Sequence, residues 1–550
     1  MIQRFRAIFI FQGEKPFPWL SRIWLAIVYV SGLVFWGVFL NWGKLELYFE
    51  DWGHVTIPRV AFLQHAVRNL ALPLHMPDSS SLLTITDRFM VIPDVILSPQ
   101  ILFLGILGVT PFVLFNVLFQ YTIGFWGLLK LRERFRLSLT AFLAVFLLFN
   151  FNGHILSHLA VGHLSWGGYF FYPWFALMIF RFVEGERSWR WVLFGALIFF
   201  LVFLQGSYHQ YVWMLIFLGV TGIVYWRNFF AAFKVLLFAN LLSMVRILPG
   251  ATILDKVAPE FLGGFPLWQL ILHAMLYARP PEAGATYKGF LNPLGYWEFN
   301  LYIGVIGVLF LVLFAGLLFT TRQTLAAGMQ WVKTFTKETA EKPQSGAQHS
   351  LSCISSWFSK FAGLHEGTEP KLLGLLIPIA LMGWLSIQDN YIILRQIPIP
   401  MLSGERVATR FLILSFVFLL FLAVREYQWL LNRVRKLWPV QILMLVLSGY
   451  LAFDLCQQAM MWRITEMYTI FPILILDPSK KVISNHPDPT YHLLLIAGLL
   501  VSVFSLVLLI WLARREKIAA DIPQEREEGS SNPEGDQANG VTGTIRSKRT

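Results

Sequence analysis

The sequence predicts an all-α polytopic membrane protein with about twelve transmembrane helices, and three observations predict it. Apolar residues make up 56% of the 550 residues, above the roughly 45–50% of a globular chain, while charged residues fall to 14% against about 25%. Runs of about 20 mainly apolar residues, long enough to cross a bilayer, recur along the chain. The charges flanking those runs alternate in a way that fits one orientation. Together these exclude a soluble multidomain protein and a disordered one. Two cysteines, Cys353 and Cys456, exclude a disulfide framework and a four-thiolate metal site. The formal net charge of +12 reports topology before it reports a nucleic-acid partner, and none is expected.

The apolar runs begin near Ile23, Ile101, Leu137, Tyr169, Trp191, Tyr211, Val235, Leu301, Leu372, Phe411, Val440 and Leu493. The third runs on into Asn150, Asn152 and His154, which leaves its length open. With the N-terminus in the cytoplasm, the inside segments collect Arg4, Arg6, Lys15 and Arg22, then Lys130, Arg132, Arg134 and Arg136, then Arg425, Arg433, Arg435 and Lys436. Most Lys and Arg therefore lie inside, both termini are expected in the cytoplasm, and no organelle signal is visible.

The domain reading follows from these runs. Residues 1–22 form a basic cytoplasmic N-terminus that leads into an anchor, since no small-residue cleavage site follows the first run. Residues 23–321 are a first membrane part with outward loops at 41–100 and 249–299. Residues 322–371 turn polar and amphipathic around Trp357 and Phe358, a cytoplasmic linker suited to lipid headgroups. Residues 372–513 are a second membrane part, with a further outward segment from Met461 to Tyr491. Residues 514–550 lose their aromatics and are expected to be a disordered cytoplasmic tail. No internal repeat of 20–50 residues is visible.

Polar chemistry concentrates on the outward side. Of the twelve histidines, only His349 and His365 fall inside. Glu50 and Asp51 stand next to each other just after the first run, with His54 close behind. Adjacent acids raise one another's pKa, and a partly desolvated carboxylate is a general-base candidate; a short acid before a helix is often only its cap. Arg406 and Arg410 precede the tenth run. If the helix has begun by Arg406, both guanidiniums share one face at the depth of lipid phosphates, where arginine's fork fits phosphate. Interfacial snorkelling explains a single such arginine. Arg246, at the outer end of the seventh run, could join them. His154 and His158 are four apart, and His163 follows; without an HExxH pattern or a neighbouring acid they read as cavity-lining groups before metal ligands. His209 sits in the outward turn after Ser207-Tyr208, and Glu298 lies just before the eighth run. Asp454 falls inside the eleventh run, where an ionisable group needs a partner.

The order of these features resembles the membrane-embedded C-class (GT-C) glycosyltransferases, in particular the bacterial YfhO-like members. The resemblance is carried by Glu50-Asp51-Trp52, Leu72-Pro73-Leu74 and Ser98-Pro99-Gln100 in the first outward loop. Further matches are Asn152-Gly153-His154, Gly162-His163, the Glu298 to Gly304 segment, and Arg406 to Phe411. It implies a bacterial inner membrane, a long first outward loop containing amphipathic helices, and transfer of a sugar from a polyprenyl-phosphate donor to an acceptor at the outer face. Asp51 would be the base, with Glu50 as its alternative or orienting neighbour. Arg406 and Arg410, with Arg246, would hold the phosphate. His54, His154, His158, His163, His209 and Glu298 would line the cavity. No second acidic motif is visible, so no metal site is expected; a divalent cation is the one cofactor left open. Two other classes stay in view: a lipid or solute transporter, for which twelve spans is an ordinary layout but inverted repeats are lacking, and a catalytically silent subunit working through a protein partner in a membrane complex.

Overall fold

The computed structural model describes residues 18–44, 51–76, 86–253, 260–280, 295–319, 370–397, 400–434, 437–463 and 485–521. Glu50, the side chain of His54, nearly all of the linker 322–371 and the last part of the tail lie outside them. Among the described residues the chain is helical and contains no β-strand, only three isolated bridges.

The principal helices are α1 (Pro18–Phe39), α2 (Ile57–Arg68), α3 (Val109–Phe135), α4 (Leu139–Asn150), α5 (Gly153–Ala160), α6 (Tyr172–Val183), α7 (Trp189–Leu204) and α8 (Tyr208–Val224). They continue with α9 (Phe229–Leu242), α10 (Met244–Gly250), α11 (Gln269–Leu276), α12 (Gly304–Gly316), α13 (Leu376–Leu385), α14 (Leu412–Val434), α15 (Trp438–Met461) and α16 (Pro489–Asp521). Among the described residues six stretches are long and apolar enough to cross a membrane, and a seventh results if α8 and α9, bent by 112° at the break after Val224, count as one. The chain is thus a multi-pass helical membrane protein. Each of the twelve apolar runs coincides with a helix, but half of those helices fall short of a span. The 10 residues of α13 and 12 of α6 rise about 15–18 Å at 1.5 Å per residue, against a hydrocarbon core of about 30 Å. Composition alone registers apolar content, not the helix ends at which Pro, Gly and aromatic turns interrupt it. The second run also starts later than expected: Pro99–Gly105 winds as a tight 3-10 segment, and the long helix begins only after Gly108. At the other end, α16 carries on past Arg515 to Asp521.

Burial separates a centre from a periphery. The stretch Leu139–Ala160 is 94% buried within the protein and Ala408–Arg433 89%, whereas Pro439–Met461 and Pro489–Glu516 are 22% buried. The peripheral helices present Leu493, Ile496, Leu500, Val503 and Phe504 on α16, and Leu443, Val446 and Phe453 on α15, the apolar faces expected toward lipid. Lipid tails are as apolar as leucine, so helices inside a bilayer are held by close packing and by polar contacts rather than by escape from water. Phe418 of α14 shows the packing. Its ring stacks on Phe217 of α8 at 4.2 Å between centroids and meets Phe175 and Phe180 of α6. Gly498 supplies a close approach, since a β-carbon there would strike the Met244 carbonyl of α10, and α10 and α16 pack along each other.

The polar contacts are equally specific. Gln205, at the end of α7, accepts through Oε1 from Ser98 Oγ, Gln100 Nε2 and Gln120 Nε2 at 3.0, 2.7 and 2.8 Å. This cluster ties the first outward loop to α3 and α7. Asp454 finds its partner in Tyr302, whose hydroxyl donates to it at 2.8 Å. Truncating a buried aromatic leaves a cavity that costs about 3–5 kcal/mol. Phe418→Ala is therefore expected to lower the thermal unfolding midpoint of detergent-solubilised protein sharply, and Phe504→Ala, on the lipid-facing side, to leave it nearly unchanged.

Candidate functional site

Five separated pieces of chain meet around the indole of Trp166. Asp51 stands at the head of a helix whose first turn, Trp52–Thr56, is widened to a π turn, a form frequent at functional sites. It is held against the turn after α5 by two hydrogen bonds, Trp52 Nε1 to the Ala160 carbonyl at 2.9 Å and Thr56 Oγ1 to the Gly162 carbonyl at 2.5 Å. Gly162 makes that contact possible. Its φ is +105°, and a β-carbon would collide with the Trp52 amide nitrogen, so both its backbone conformation and its neighbour require glycine.

With the two segments pressed together, Asp51 Oδ2 lies 2.8 Å from His163 Nε2, and His163 Nδ1 lies 2.7 Å from His158 Nδ1. A carboxylate can only accept, so His163 carries a proton on Nε2. If His163 is neutral its Nδ1 accepts from His158 Nδ1–H; if it is protonated the direction reverses. Either way the three groups form one proton-ordered row, which ends at a buried His158 Nε2 without a partner. His154 is fixed too: Trp166 Nε1, a donor only, lies 3.1 Å from His154 Nε2, which places the His154 proton on Nδ1.

On the far side of Trp166 the Arg410 guanidinium lies over the ring, 4.9 Å from its centroid. Its fork is filled by Glu298, Nε to Oε2 at 2.6 Å with a second parallel bond from Nη2 to Oε1. Arg410 Nη1 also meets His209 Nε2 at 3.3 Å. Because arginine donates, His209 accepts on Nε2 and donates from Nδ1 to the fully buried Glu405. Burial alone would push the Glu298 carboxyl up, but the charge and hydrogen bonds of Arg410 bring it below its ordinary value. Asp51 behaves alike: burial raises it, while the hydrogen bond and charge of His163, with Arg59 and Arg410, take it below its ordinary 3.8. Asp51 is thus a carboxylate at neutral pH, and its contribution to stability is full above 3.8 and lost as pH falls below it.

The structure brings together Asp51, His154, His158, His163, His209, Glu298 and Arg410. It does not bring together the three arginines expected to act jointly. Residues 405–407 are extended, with Val407 bridged to Gly263 and helical geometry starting only at Ala408. Arg406 and Arg410 therefore do not share a helical face; Arg406 is exposed, with no side-chain partner among the described residues, and Arg410 is buried. Arg246 is spent on the fold. Its guanidinium donates to the carbonyls of Ile92, Pro93, Val95 and Phe203 at 2.6–3.1 Å, fastening α10 to the outward loop. Sequence reading passed over Trp166, which has no charge to flag it, and took the arginines of the Ser403–Phe411 segment without weighing Glu405.

His158, His163 and Glu298 each offer a ligand atom within 4.8 Å of the others. They do not suit a cation as they stand. Both nitrogens of His163 and both oxygens of Glu298 are already engaged, so an ion there would have to displace an arginine and break the histidine row. Compared with protein-family models, with curated proteins and with solved structures, the chain matches none.

Removing one member of a buried ion pair costs about 3–5 kcal/mol because the other is stranded, whereas replacing both is far milder. Glu298→Ala is expected to destabilise the protein by that amount, and the double variant Glu298→Gln/Arg410→Met to recover most of it, read as thermal midpoints in detergent.

Proposed function

We propose that the chain is a glycosyltransferase of a bacterial inner membrane that moves a sugar from a polyprenyl-phosphate donor to an acceptor hydroxyl at the outer face. The observation that carries this reading is the state of Asp51. Its Oδ2 is held by His163, its side chain is half exposed, and its Oδ1 has no hydrogen bond among the described residues. That is the arrangement of a general base: one oxygen oriented, the other open to a substrate. In the transfer, the acceptor oxygen attacks the anomeric carbon, its proton passes to Asp51 Oδ1, and the bond to the phosphate oxygen breaks with its electron pair leaving on polyprenyl phosphate.

Electrostatics assigns the rest. Asp51, Glu298 and Glu405 outnumber Arg410 in the cluster. Such a cluster disfavours a further anion. The donor phosphate is therefore assigned to the exposed Arg406 rather than to Arg410, whose fork Glu298 fills. Twelve spans with both termini in the cytoplasm form part of this proposal. Its support is the coincidence of every apolar run with a helix, of which α7 and α8, with 16 and 17 residues, rise about 24–26 Å.

A transporter is the second reading, favoured by the 112° break between α8 and α9, since broken helices form substrate sites in many transporters. The two separate in one experiment with purified protein and polyprenyl-phosphate sugars, followed by mass spectrometry. Wild type is expected to consume donor, Asp51→Asn to lose about 100-fold or more in rate while inserting normally, and Arg406→Ala to weaken donor binding. Equal turnover by Asp51→Asn would remove the base, and lipid or solute movement in vesicles without covalent change would establish the transporter.

A further inference from the structure

A second polar cluster lies away from Trp166, where the first outward loop meets the head of α16. The two pieces are stitched together by several contacts. Asn485 accepts from the His75 amide at 3.1 Å and donates to the Leu72 carbonyl at 2.9 Å. The Tyr491 hydroxyl takes the Met90 amide at 3.1 Å, and Arg88 holds Asp488 with Nε–Oδ2 at 2.6 Å. At the centre sits His75, fully buried, with neither ring nitrogen within hydrogen-bond distance of a partner among the described residues and the Asp488 carboxylate 3.7 Å from Nε2. An imidazole with two unused nitrogens in a buried position costs free energy unless something is bound to it.

The groups facing it are ligands. His486 stacks on His75 with ring centroids 3.9 Å apart, and His486 Nε2 contacts Asp87 Oδ2 at 2.7 Å. His75, Asp87 and His486 each place a ligand atom within 4.8 Å of the others. Asp488 Oδ2 stands 3.7 Å from His75 Nε2. From this geometry we propose that His75, Asp87 and His486 form a binding site for a first-row divalent transition cation, zinc foremost, which fastens the first outward loop to the last helix.

The donor set selects the ion. Two imidazoles and one carboxylate match the three-ligand, open-position pattern of zinc and its neighbours, and are poor ligands for magnesium or calcium, which take oxygen. The mobility needed is in the right place. Zinc–nitrogen bonds are about 2.0–2.1 Å, so the ligand atoms, which lie within 4.8 Å of one another, must shift around an ion, with His486 and Asp87 parting from their 2.7 Å contact. His486 and Asp87 are about half exposed and can turn, while His75 stays fixed. The ion would take the place of the hydrogen bond that His486 Nε2 and Asp87 now share. At His158, His163 and Glu298 an ion would have to break the buried Arg410–Glu298 pair and the histidine row, whereas here it replaces one half-exposed contact between His486 and Asp87.

Tag-free, full-length protein in detergent, stripped with chelator and titrated with zinc chloride, tests the site, with cobalt absorption reporting the coordination. One equivalent is expected to bind. His486→Ala and Asp87→Asn, both at half-exposed positions that should fold normally, are expected to weaken it by more than about tenfold, and His163→Ala to leave it unchanged. Absence of a bound equivalent, binding that survives both His486→Ala and Asp87→Asn, or binding that disappears with His163→Ala would each overturn the assignment. Because the readout is metal content rather than sugar transfer, its failure and that of the proposed activity are distinct.

Discussion

A guanidinium buried among membrane helices must be neutralised, and the pairing of Arg410 with Glu298 is the constraint on which the rest of the site depends. Arg410 enters from the turn before α14, and Glu298 from the short turn before α12. Once their forks are joined, the remaining faces of the guanidinium are fixed in direction, one toward Trp166 and one toward His209. Trp166 in turn lies against His158 and His163 at 4.4 and 4.8 Å between ring centroids, and His209 reaches Glu405. One ion pair therefore sets the positions of aromatic and titratable groups drawn from segments far apart in the chain. The central helices can sustain it because their apolar packing leaves little room for relaxation.

Asp51 is positioned by a different device, a close approach of backbones. Gly162 removes the side chain that would hold the first outward loop away from the turn after α5, and the hydrogen bonds of Trp52 and Thr56 fill the gap so created. The carboxylate thus meets His163 at the edge of the buried cluster, where one oxygen is bound and the other faces outward. The division of labour is physical: the buried pair provides rigidity, the glycine contact provides placement, and the acid stays half exposed with one oxygen held by His163.

Much of this was legible in the sequence, for identifiable reasons. Length and hydropathy gave the helical membrane class, and charged or imidazole groups in outward segments gave Asp51, His154, His158, His163, His209, Glu298 and Arg410, because such residues are costly near lipid unless they serve one another. What sequence could not supply was which of them meet. The spacing of Arg406 and Arg410 looked like one helical face, but the extended bridge of Val407 to Gly263 turned Arg406 outward. Arg246 had the right depth and the wrong company, four carbonyls instead of its fellow arginines. Trp166 carried no signal beyond its size, and the His75–His486 meeting joins residues from opposite ends of the chain. The twelve expected spans outnumber the six or seven described helices long and apolar enough to cross a membrane for a related reason, since apolar content persists through turns that end a helix.

The central claim is that Asp51 faces the reacting carbon while Arg410 stays with Glu298. A structure of the protein bound to a non-hydrolysable polyprenyl-phosphate sugar analogue addresses it directly. The account predicts the anomeric carbon on the Oδ1 side of Asp51, the phosphate at Arg406, and the Arg410–Glu298 pair unbroken. A phosphate seated in the fork of Arg410, with Glu298 displaced, or a sugar bound out of reach of Asp51, would contradict it.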